Sequence, residues 1–163
     1  MDYLNLKKHI GDLAEEISYP CKKSDHLTYA LKLSNTPGHI FFHSGFEAVG
    51  EAILNAVNNH YLFTRGYNTE KQINEALKKY NATRPYAKYV KEHNLTSFIY
   101  NDHTFASDAK KEHLIPKGCE SAIVKRIIGA MYYDSDWQTV KNWVINTLGI
   151  RSMKKTGSIE SSN

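Results

Sequence analysis

A chain of 163 residues, 41% hydrophobic and 23% charged, is long enough to bury one real core without disulfides or metal. A net charge of +4 is a mild basic bias, raised below neutral pH by eight histidines, that permits contact with nucleic acid without specifying it. No apolar run approaches the ~20 residues of a membrane span, so no membrane partner is expected. Cys21 and Cys119 stand far apart with no C-x-x-C, which excludes a disulfide framework or zinc site and leaves them as reduced structural thiols. Asp2, Asp12, Glu15 and Glu16 make the first residues a poor signal or transit peptide. Without secretion, the glycosylation patterns at Asn81 and Asn94 carry no meaning.

Along the chain the reading is helix after helix, with no internal repeat. Leu4, Ile10, Leu13, Ala14 and Ile17 give a first amphipathic stretch, which Tyr19-Pro20 is expected to end. A second helix is predicted from Asp25 to Leu33, broken at Asn35-Thr36-Pro37-Gly38. Residues 40–64 form the longest apolar-periodic run, with Phe46, Val49, Ile53, Leu54, Val57, Tyr61 and Leu62 on more than one face. That pattern predicts the central helix of a bundle, closed at Gly66. Thr69-Glu70-Lys71-Gln72 reads as a capping box opening a helix through Tyr80, and Thr83-Arg84-Pro85 opens another.

Residues 96–116, with Asp102-His103 and Lys110-Lys111-Glu112-His113, read as loop. From Gly118 the helical period returns, with Ile123, Ile127 and Met131 on one face. Ser135-Asp136-Trp137-Gln138 reads as a second capping box, starting a last helix on Trp137, Val140, Val144 and Leu148 that Gly149 ends. The expectation is one all-α domain over residues 1–150, with an N-terminal helix in 1–20 and a polar tail over 151–163.

Two segments carry the chemistry. Phe46-Glu47-Ala48-Val49-Gly50-Glu51-Ala52-Ile53-Leu54 sets two carboxylates four residues apart on one helix face. Ile127-Ile128-Gly129-Ala130-Met131-Tyr132-Tyr133-Asp134 follows a lysine, Lys125. The first is similar to the L-E-F-L-G-D helix of the ribonuclease III family, and the second to its A-L-I-G-A-I-Y-L-D segment. Tyr61-Leu62-Phe63 matches the end of the first signature helix. Asn81 to Leu95, with Arg84 and Ala87, resembles the family's V-S-N-R-T-L-A-E-I-A-R-E-L-G-L segment. The resemblance covers Ser24 to Gly149 and rests on the order and spacing of four weak matches. It implies a ribonuclease III-like endonuclease-domain helical bundle.

That family cleaves double-stranded RNA with divalent metal held by four carboxylates, since a hard cation requires oxygen ligands. Here Glu47 stands at the first position and Glu51 at the second, with one methylene more than the usual aspartate. Counting back from Gly129, the second-helix acids are replaced by Ala122 and Lys125. Alanine offers no ligand, and an ammonium has three donors and no lone pair. The resemblance therefore implies a pseudo-nuclease with no catalytic residues, metal or cofactor. Two readings of Lys125 stand: an ammonium neutralising Glu47 or Glu51 where metal would sit, or an ordinary exposed helical lysine.

The aromatic that plugs the family's dimer is replaced by Ala48, which puts the usual self-association in doubt. No length remains after Gly149 for the appended RNA-binding domain that many members carry. His39, His43 and His60 lack the pairing of a zinc motif. Lys78, Lys79, Arg84, Lys88 and Lys91, interleaved with Tyr80, Tyr86 and Tyr89, are either a solvated face or phosphate contacts with tyrosines stacking on bases; Lys110, Lys111 and Lys117 extend the charge.

The leading expectation is an inactive structural subunit that binds structured or double-stranded RNA in a ribonucleoprotein. By resemblance to degenerate family members this is the mitochondrial large ribosomal subunit, with ribosomal RNA and neighbouring subunits as partners and a second ribonuclease III-like chain as a further candidate. That resemblance supplies the mitochondrial location; otherwise the cytoplasm or nucleus is expected. The alternatives are a non-catalytic or weakly active half of a heterodimeric double-stranded-RNA endonuclease, and a protein-only interaction module.

Overall fold

The computed structural model describes residues 3–22, 24–33, 45–101 and 118–153. Among these described residues seven α-helices follow in order: α1 (Tyr3–Glu16), α2 (Ser24–Ala30), α3 (Phe46–Thr64), α4 (Glu70–Ala82), α5 (Pro85–Glu92), α6 (Glu120–Asp134) and α7 (Trp137–Thr147). Short 3₁₀ turns occupy Leu95–Phe98 and Ile150–Ser152. Among the described residues the only β-type pairing is an isolated bridge, Lys32 to Tyr100, so the expected all-α class holds. No described helix is long and apolar enough to cross a membrane.

α3 and α6 form the principal interface of the bundle, and α2 packs across α6. α6 is apolar almost all round, and Ile123, Val124, Ile127, Ile128, Ala130 and Met131 are fully buried. α7 closes this core with Val140, Val144 and Leu148, as the period predicts. Trp137, assigned to that stripe from sequence, is half exposed. Trp143 is the buried tryptophan, and its indole Nε1 donates to Ile17 O at 2.8 Å. A smaller core gathers Tyr61, Leu62, Tyr67, Ala76, Tyr80 and Ile150. α4 buries only Ala76 and Tyr80. With each full-size buried side chain contributing about 1.5–3 kcal/mol, it is the most weakly anchored of the long helices.

Several boundaries differ from the sequence expectation for local reasons. α1 ends at Glu16 rather than at the proline: Ser18 adopts a left-handed φ of 52°, and Ser18 and Tyr19 N–H donate back to Glu15 and Ala14 carbonyls. α2 stops at Ala30, three residues short of the predicted end, because Leu31 and Leu33 exchange backbone hydrogen bonds with Tyr100 instead. The Thr69–Gln72 capping box forms as predicted. The second box does not. Ser135 Oγ donates to Met131 O and finishes α6, leaving Asp136 as the N-cap of α7, accepting from Thr139 N–H at 2.8 Å. Ile150, the last residue of the expected domain, is fully buried and continues the packing past Gly149. The predicted break at Asn35–Gly38, His39, His43 and the loop residues Asp102, His103, Lys110, Lys111 and Lys117 lie outside the described residues.

Candidate functional site at the crossing of two helices

Two glycines set the geometry of the site. A Cβ placed on Gly50 of α3 would lie 1.6 Å from the Lys125 carbonyl oxygen, and one on Gly129 of α6 would lie 2.2 Å from the Phe46 carbonyl oxygen. Each helix therefore touches the backbone of the other exactly where it lacks a side chain, and the register between them is fixed to the residue. Lys125 is consequently held beside the first turns of α3, next to Glu51.

Lys125 Nζ donates to Glu51 Oε1 at 3.0 Å, with the lysine side chain 19% and the glutamate 55% exposed. This is one of the two contacts expected if the ammonium replaces metal. The other acid, Glu47, lies one turn earlier on α3 and is half-buried. Its cationic neighbour is a residue that sequence reasoning passed over, Arg126. That guanidinium is buried to 1% exposure and donates from Nε to Ala30 O and from Nη2 to Tyr29 O, capping the last carbonyls of α2. Burial lowers its pKa to about 10, and the nearby Glu47 carboxylate acts in the opposite direction. The overlooked signal is an arginine between Val124 and Ile127 in a helix whose other faces are apolar; such a charge must be buried with partners.

The site thus holds two carboxylates from α3 and two cations from consecutive residues of α6. Ala122 is half-buried and contributes no polar atom. This donor set does not fit a hard divalent ion: one acid is ion-paired, a guanidinium stands near the other, and the remaining positions carry a methyl and an ammonium. Among the described residues no three His, Cys, Asp or Glu side chains gather as a metal-binding cluster.

The last acid of the second segment has a different task. Asp134 is buried, accepts from the Tyr19 hydroxyl at 2.6 Å and from Lys22 N–H at 2.9 Å, and ties the exit of α1 to the end of α6.

Lys78, Lys79, Arg84, Lys88 and Lys91 are all exposed along the end of α4 and through α5. Lys88 lies 3.8 Å from Glu92 across the helix surface, a contact worth at most about 1 kcal/mol. The tyrosines between them do not form a stacking platform. Tyr80 and Tyr89 are buried, the first donating to Leu148 O at 2.7 Å and the second edge-on to Trp143, and desolvation raises both phenol pKa values. Only Tyr86 keeps part of its ring accessible. His60 is exposed on α3, and Ala48 is exposed near its start.

Comparison with solved structures supports the architecture. Two structures of the nuclease domain of ribonuclease III from Campylobacter jejuni superpose with a TM-score of 0.68 each. One is 20% identical, over 85% of this chain and 95% of its own; the other is 19% identical, over 91% and 99%. The fold is that of a ribonuclease III nuclease domain. No family model matches the sequence, and no curated protein matches it either. The resemblance read from Phe46–Leu54 and Ile127–Asp134 thus corresponds to a shared fold, and those two segments are the crossing helices α3 and α6.

Proposed function

We propose that this chain is a catalytically inactive ribonuclease III-like domain that holds structured RNA as a subunit of a ribonucleoprotein, in the mitochondrial large ribosomal subunit. The observation that carries the reading is the Lys125–Glu51 ion pair at the helix crossing. A metal-dependent nuclease needs free oxygen ligands at that point. Here the ammonium engages Glu51 Oε1, and the Arg126 guanidinium is a second cation near Glu47. The exposed Lys78, Lys79, Arg84, Lys88 and Lys91 are the phosphate contacts of this reading, with Lys110 and Lys111 as further candidates. Its mitochondrial and ribosomal parts rest on resemblance to degenerate members of the family.

The test pairs a cleavage assay on duplex RNA in Mg²⁺ or Mn²⁺ with isolation of the endogenous protein. The expected result is no cleavage, RNA binding that weakens steeply with salt, and co-purification with a large ribosomal subunit. Metal-dependent cleavage that disappears in Glu51→Ala would overturn the reading.

A second reading, the non-catalytic half of a heterodimeric endonuclease, has one observation in its favour. Ala48 is exposed at the start of α3, and close by the rings of Phe46, His26 and Tyr133 form a cluster whose Tyr133 is half exposed. One of the Campylobacter structures concerns a region involved in dimer formation of that nuclease domain. Co-purification with an active nuclease chain would favour this second reading.

A further inference from the structure

Bordering the Lys125–Glu51 pair, whose side chains form part of its wall, lies a cavity of about 410 Å³ between α3, the end of α4, the start of α5 and the start of α6. Its size falls in the ~300–1,000 Å³ range of small-molecule sites. Arg84 stands at its rim as the N-cap of α5, in a left-handed conformation (φ 50°, ψ 53°) and making no side-chain cap bond. The Arg84 side chain makes no hydrogen bond or ion pair with any described residue. Pro85 has no N–H, and those of Tyr86 and Ala87 lack intrahelical acceptors, so a cation and two open donors sit together.

The rest of the wall is polar but not cationic. Asn55 and Asn81 offer amides, Ser121 a hydroxyl and Glu120 a carboxylate, while Lys125 is occupied by Glu51. Tyr86 supplies the aromatic surface. Its phenol lies beside the buried Asn58, whose Oδ1 has no hydrogen-bond partner among the described residues. A bare inorganic anion would use only the Arg84 end of this cavity.

We infer that this cavity receives one unpaired ribonucleotide of the bound RNA. Its phosphate lies at Arg84 and the α5 N–H groups, its base against Tyr86, and its polar edges meet Asn55, Asn81 and Glu120. The mixed lining matches a nucleotide: one anionic group, one flat π-face and several neutral donors and acceptors. A paired base cannot use it, because its edge is already engaged and its neighbours in the stack do not fit a concavity of this size. The inference rests on the RNA-binding reading above and names the ligand of a pocket adjoining the same helix crossing.

The experiment compares one RNA hairpin, fully paired or with a single-nucleotide bulge, by fluorescence anisotropy at fixed salt. Nucleoside monophosphates and inorganic phosphate are titrated separately by NMR. The bulged hairpin is expected to bind about tenfold tighter. Asn55→Ala is expected to abolish that preference while the paired hairpin binds as before, and Arg84→Ala to weaken monophosphate binding. Thermal melting confirms that both variants are folded.

Equal affinity for the two hairpins overturns the inference and leaves the RNA-binding reading intact. Monophosphate binding at Asn55 and Arg84 without any hairpin binding keeps the nucleotide pocket but overturns its RNA source, and with it the RNA-binding reading. Phosphate binding as tightly as the monophosphates removes the base-reading half of the inference and so overturns it.

Discussion

At Gly50 a single hydrogen atom decides the distance between two helices. The space a methyl group would need is filled by the Lys125 carbonyl, 1.6 Å from the ideal Cβ position. Neither backbone can yield, because Gly129 makes the reciprocal contact with Phe46 one turn away on each helix. Gly50→Ala must therefore spread the helices and break the Lys125–Glu51 register. We expect a loss of more than about 3 kcal/mol, beyond ordinary overpacking, read as a lowered urea midpoint. By contrast Ala48→Gly, two residues earlier on the exposed face, should shift stability only by the intrinsic helix preference of about 1 kcal/mol. Equal effects at the two positions would mean that the close crossing does not hold the fold together.

The helix ends show how an element is delimited by competition for backbone groups. At the α6–α7 junction Ser135 and Asp136 are both good caps, yet each serves a different helix. Ser135 accommodates the last turn of α6 through Met131 O, and Asp136 accepts from Thr139 N–H at the start of α7. Those hydrogen bonds to the carboxylate hold the Asp136 pKa below its ordinary value of 3.8. With the folded value depressed, its contribution to stability is fully present above the unfolded pKa and is lost as pH falls through the folded one. The acid limb of a thermal-stability profile should therefore be shallower below about pH 4 in Asp136→Asn than in the parent chain. Parallel limbs would show that the cap carries no charge-dependent part.

For the whole molecule, the question is whether a nuclease scaffold has been converted to one balanced by its own side chains. If Lys125 and Arg126 stand in for metal, removing them while restoring acids should make the site metal-responsive. The combined variant Ala122→Asp, Lys125→Glu, Arg126→Ala leaves carboxylates facing each other, and is expected to melt lower than the parent in chelator. Added Mn²⁺ should then raise its melting temperature, by linkage of about 2.7 kcal/mol at a hundredfold excess over the dissociation constant, while the parent stays unmoved. A parent chain stabilised to the same extent by Mn²⁺ would contradict the internal-cation account. Arg126 also anchors α2 through Tyr29 and Ala30 carbonyls, so a variant keeping Arg126 is the control for simple loss of that anchor.

Helical periods and caps are local, and they were legible in the residue order: Ile123, Ile127 and Met131, the Thr69–Gln72 box, and the run from Phe46 to Leu62 all lie where the 3.6-residue period puts them. The two segments facing each other at the site were also readable, because their resemblance to the two signature helices of one family implies that they meet. What depended on contacts between distant residues was not. The early end of α2 comes from Tyr100, the burial of Tyr80 and Tyr89 from α7 and its following turn, and the cation near Glu47 from an arginine 79 positions away in sequence. By itself the sequence determined the helices, their order and the presence of Ala122 and Lys125, rather than acids, ahead of Gly129. Only the tertiary structure decided that Lys125 meets Glu51 and that Arg126 is buried against α2. Side-chain partners at long range are chosen by the distance and register of packed backbones, and two glycines set both.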